Sequence, residues 1–69
     1  MPIIKPSDDL CRRLLAIGLP EYRHNRRVLR GLVTQSTGLM PLEHETADEL
    51  ARTVLSLHER GQLAPFDNP

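Results

Sequence analysis

Apolar positions in this chain recur with a helical period in three stretches, separated by glycine and proline. Leu10, Cys11, Leu14 and Leu15 fall at i, i+1, i+4 and i+5 and predict a short first helix with one apolar face. Ser7 stands at its N-cap position, Asp8 and Asp9 suit the positive end of its dipole, and Gly18 stops it as a left-handed residue. Pro20 at the first helical position and Glu21 in the first turn then open a second helix, with Tyr22, Val28, Leu29, Leu32 and Val33 on one side. That helix is expected to end between Gln35 and Gly38, ahead of Met40-Pro41, because the residue before proline avoids the α region.

The third stretch has the clearest boundaries. Thr46-Ala47-Asp48-Glu49 matches a capping box, in which Thr46 and Glu49 each satisfy the other's backbone N–H. Pro41 offers a second start one turn earlier, at Leu42, and the pattern does not choose between them. Ala47, Leu50, Ala51, Val54, Leu55 and His58 keep a 3.6-residue period, Leu57 widens the stripe, and Gly61 closes it. Strand alternation, internal repeats and low-complexity tracts are lacking. The expectation is an all-α fold: a single small three-helix domain over residues 1–69, with an antiparallel hairpin of helices two and three. Residues 1–6 read as an extended arm and residues 62–69 as a loose tail, from which Leu63 folds back.

Size shifts the picture toward association. A chain of 69 residues is one domain, and domains this short bury only about 60% of their unfolded surface. They commonly draw on disulfides, a metal or a second subunit. Cys11 is the only cysteine, which excludes an internal disulfide and suits a reducing, cytoplasmic setting. A monomer has difficulty covering all the aliphatic side chains, so a two-fold homodimer is expected, with Leu29, Leu32, Leu50, Val54 and Leu57 at its interface. The start, MPIIKPSDD, lacks the apolar run of a signal peptide, and no stretch approaches the ~18 apolar residues of a membrane span.

Charge supplies the main functional clue. Residues 1–38 carry seven cationic side chains against three carboxylates and residues 39–69 two against six, so a formal net charge of zero conceals halves of +4 and −4. Arg23, Arg26, Arg27 and Arg30, at i, i+3, i+4 and i+7, share one face of the second helix. Guanidinium forks bind carboxylate or phosphate at two points. The stripe is therefore a solvated face, a contact to the acidic third helix of its own or a neighbouring subunit, or a site for an outside anionic partner.

DNA is one such partner. Leu10–Ile17, Gly18-Leu19-Pro20 and Glu21–Val33 have the outline of a helix-turn-helix, with His24 and the four arginines toward the groove. The absence of net positive charge, the placement of Glu21 at the reading end, and Asn25 on the far side count against it. Other chemistry is thin. Cys11, His24, His44 and His58 lack the spacing of a closed zinc site. Glu43-His44-Glu45 lies open to water at a helix entrance, and no glycine-rich phosphate loop occurs. With one Tyr, one Phe and no Trp, the chain has few walls for a cofactor pocket. The sequence thus points to a binding protein without cofactor, metal, small-molecule substrate or membrane attachment. An acidic protein surface would be its partner and Arg23, His24, Arg26, Arg27 and Arg30 its contact residues, with a dimeric DNA-binding regulator as the alternative.

Overall fold

The computed structural model describes residues 4–66 and contains three α-helices and, among those residues, no strand. The first helix, α1 (Asp8–Ala16), buries Leu10 and Leu14. It ends in a Schellman motif: Gly18 takes φ +94°, its N–H donates to Leu15 O (3.0 Å), and Leu19 N–H donates to Leu14 O (3.0 Å). That closure drives Leu19 into the core, where it is fully buried beside Leu14. Ser7 occupies the N-cap position, yet its hydroxyl caps nothing; its backbone N–H donates to Asp48 Oδ1 at 2.8 Å.

The second helix starts later than its proline suggests. Pro20 opens a single 3-10 turn, Glu21–Arg23, after which His24 (φ −81°, ψ 71°) adopts an inverse γ-turn. Asn25 then caps α2 (Arg26–Thr37), its side chain accepting from Val28 N at 2.9 Å. Gly38, at φ 75°, ends it. The third helix, α3, runs Ala47–Glu59, so the start at Thr46 is the one adopted. Half of the expected capping box forms: Glu49 N–H donates to Thr46 Oγ1 (3.1 Å), while the Thr46 hydroxyl donates to the Glu49 carboxylate (3.3 Å).

Packing centres on α3, which lies against both α1 and α2, whereas α1 and α2 touch little. Leu10, Leu14, Leu19, Leu29, Leu32, Val33, Leu50, Ala51 and Val54 form one core. The segment 38–46 runs back along α2: Arg30 donates to Leu42 O (3.0 Å), and Arg26 donates to Glu45 O (2.8 Å) and Glu43 O. α3 therefore begins beside the start of α2. Beyond α3, Ala64 N–H donates to Ser36 Oγ in the last turns of α2 (2.7 Å).

Four expectations change. The connection between helices two and three is this return path and not a short turn, because Arg26 and Arg30 hold the connecting segment against α2. The helix-turn-helix outline is not formed, since residues 17–25 separate α1 from α2 and the two helices barely meet. Leu29, Leu32, Leu50, Val54 and Leu57, expected at a subunit interface, are buried within the single chain. The tail is less loose than expected, since Leu63, Ala64 and Phe66 pack on the core; in the arm, Ile4 O accepts from Arg26 N–H (2.9 Å). Residues 1–3 of the arm and 67–69 of the tail lie outside the described residues.

Candidate functional site

The break at His24 and Asn25 divides the arginines. Arg23 belongs to the 3-10 turn, whereas Arg26, Arg27 and Arg30 belong to α2, so the four do not form one helical face. Two of them serve the fold. Arg26 and Arg30 spend their N–H groups on the carbonyls of Leu42, Glu43 and Glu45, fixing the path of the return segment. Glu43-His44-Glu45 is consequently a turn held from behind. The Glu45 carboxylate accepts from Leu42 N–H (2.9 Å), and Glu45 N–H donates to Leu42 O (3.1 Å).

Of the other two arginines, Arg27 is exposed and Arg23 is half-buried. The Arg23 guanidinium lies 5.6 Å from the centroid of the Tyr22 ring, a cation–π distance. Tyr22 was expected on the apolar side, but the 3-10 turn rotates it into solvent, and it is 71% exposed. Arg27 is exposed and, among the described residues, has no hydrogen-bond or ion-pair partner. Ion pairs join Arg12 and Arg13 to Asp9, at 3.7 and 3.6 Å, and involve none of the four arginines.

His24, expected at the margin of the basic face, is instead 1% exposed. Its Nε2 lies 2.8 Å from Leu19 O. A carbonyl only accepts, so Nε2 donates. Its Nδ1 is buried without a partner. His24 is thus the peg that locks the γ-turn onto the core. His58, expected on the buried stripe of the third helix, is exposed.

Arg27, Gly31 and Gln35 follow one another at i, i+4 and i+8 and are all exposed, making the solvent-facing line of α2. Two of these residues run against local helix energetics. Arg27 sits in the first turn, which contains no acidic residue, and a cation there opposes the helix dipole by a few tenths to about 1 kcal/mol. Gly31 sits mid-helix, where glycine costs about 1 kcal/mol relative to alanine. A Cβ built on Gly31 meets nothing within 4 Å, so no contact inside the chain requires its absence. Next to this line lies an open groove of about 530 Å³, bordered by Val28, Gly31, Leu32 and Gln35 of α2, with Phe66 among its other walls and Arg23 also on its rim. Sequence reasoning missed Gly31 and Gln35, although an unexplained glycine inside an apolar-periodic helix was the available signal.

Known proteins offer no guide. No family model, curated protein or solved structure matches this chain.

The remaining chemistry is modest. Burial raises the Cys11 thiol above its ordinary value, Lys5 opposes that shift, and Asp8, Glu21 and Asp48 add to it. Its Sγ lies 3.5 Å from Pro6 O, as befits a thiol packed as a small hydrophobe. Among the described residues, no group of three or more His, Cys, Asp and Glu side chains is placed to hold a metal ion. None of the described helices is long and apolar enough to cross a membrane.

Proposed function

We propose that this chain is a non-catalytic binding module, an adaptor or inhibitor, that engages an acidic surface of a partner protein through Arg23 and Arg27. The observation that carries this reading is Arg27: a fully charged group kept in the one turn of α2 where it opposes the helix dipole, exposed and unpaired within the described chain. Arg23, stacked on the exposed Tyr22 ring, adds a second cation and an aromatic surface at the same end of α2. Arg26 and Arg30 enter as the clamps that keep the return segment clear of this face. In the same reading, two copies meet through the apolar loop residues Leu39, Met40 and Leu42, which are 72%, 70% and 62% exposed.

Charge reversal at matched net charge tests the reading. A fluorescein-labelled oligoglutamate peptide serves as the acidic probe and a 20-base-pair duplex as the phosphate probe, both at 50 mM salt. Arg27→Glu is expected to weaken peptide binding at least tenfold, while Arg12→Glu, which changes net charge equally on α1, changes it less than twofold. Equal losses in both variants would reduce the interaction to bulk charge and overturn the proposal. Tight duplex binding with a steep salt dependence and no peptide binding would replace it with the DNA reading.

A further inference from the structure

Resting on that reading, we infer that the groove beside Gly31 is the seat for one bulky apolar side chain of the acidic partner segment. Gly31 is helical and exposed, and nothing within 4 Å of its absent Cβ would obstruct a side chain, so alanine would be the better residue for the fold. The glycine lowers the floor of the groove that it borders with Val28, Leu32 and Phe66, so an incoming chain can approach the helix backbone.

The polar groups at the groove define the occupant. Arg23 lies on its rim, and Arg27 stands one turn before Gly31 on the same line of α2, so carboxylates flanking the anchor meet cations. Gln35 stands one turn after Gly31 and offers an amide that both donates and accepts, a match for the backbone of an approaching segment. Val28, Leu32 and Phe66 supply apolar walls. A segment with one Leu-sized or Phe-sized residue between acidic residues satisfies all of these together. Two neighbouring positions, Arg27 and Gly31, each weaken α2 by local rules, and one such ligand accounts for both.

Two labelled peptides, each a run of Glu and Ser with a single central position that is either Leu or Ser, separate this inference from the charge reading. Fluorescence anisotropy with the full chain is expected to show the Leu peptide binding about ten- to a hundredfold tighter than the Ser peptide, the range set by burying one aliphatic side chain. Gly31→Leu fills the groove floor, and is expected to remove that preference while both peptides keep the weak affinity given by the arginines. Gly31→Ala is expected to raise Tm by several degrees, which shows that the helix tolerates a side chain there. Arg27→Glu is expected to weaken both peptides together and preserve their ratio. Equal binding of the two peptides to the wild type, or a Leu preference that survives Gly31→Leu, overturns the groove inference. A ratio that stands while Arg27→Glu leaves both affinities unchanged overturns the charge reading and leaves the groove.

Discussion

Replacing His24 by alanine separates a surface histidine, as the charge pattern suggested, from a core peg. The imidazole is 1% exposed and its Nε2–H donates to Leu19 O at 2.8 Å, while Leu19 is itself fully buried. Loss of the hydrogen bond costs about 1 kcal/mol, and leaving a buried carbonyl unpaired adds about 1–3 kcal/mol. The void left by the ring adds to this, so His24→Ala is expected to cost roughly 3 kcal/mol. For a chain of this size, with total stability of roughly 3–10 kcal/mol, that is a large fraction. Urea denaturation followed by far-UV circular dichroism reads the effect, with a midpoint lowered by about 3 M at a slope near 1 kcal/mol/M. His24→Gln, whose amide can donate to Leu19 O, is expected to recover part of the loss. A cost below about 0.5 kcal/mol for His24→Ala, the range of ordinary surface changes, would refute the assignment and return His24 to the partner-facing set.

Other changes test neighbouring features. Asn25→Ala removes the cap on α2 and is expected to cost about 1 kcal/mol, with faster amide hydrogen exchange confined to the first turn, Val28 N–H above all. Arg26→Met severs the bonds to Glu43 O and Glu45 O, and is expected to cost about 1–2 kcal/mol and to speed proteolysis in residues 38–46; intact protection there would show that the clamp is not needed. Burial favours the neutral Cys11 thiol, so iodoacetamide is expected to react with a pH midpoint higher in the folded chain than in urea. By linkage, the stability given by that thiol is fully present below the unfolded pKa and is lost as pH rises through the folded one.

The parts of the fold legible in the sequence are those fixed by local chemistry. Gly18 and Gly61 mark helix ends because closure there requires positive φ, and Thr46 marks a start because its hydroxyl reaches Glu49 N–H. The break before α2 was not legible because two start signals compete, Pro20-Glu21 and Asn25. Apolar periodicity continues across both, and tertiary burial of His24 decides between them. The four-arginine face failed for the same reason, since a helical spacing describes a face only on an unbroken helix. The roles of Arg26 and Arg30 depend on a chain segment more than ten residues away, which no local pattern reveals. Arg27 has the exposure that the charge pattern implied, Arg23 is half-buried, and Gly31 needed the surrounding empty space to become informative.

Leu63, Ala64 and Phe66 complete the interior from beyond the last helix. A nascent polypeptide can therefore have all three described helices translated and still lack one wall of its hydrophobic centre. Consolidation waits for those three residues to clear the ribosome exit tunnel, so the domain is expected to mature in one late step, with its earlier segments exposed to chaperones and proteases until then.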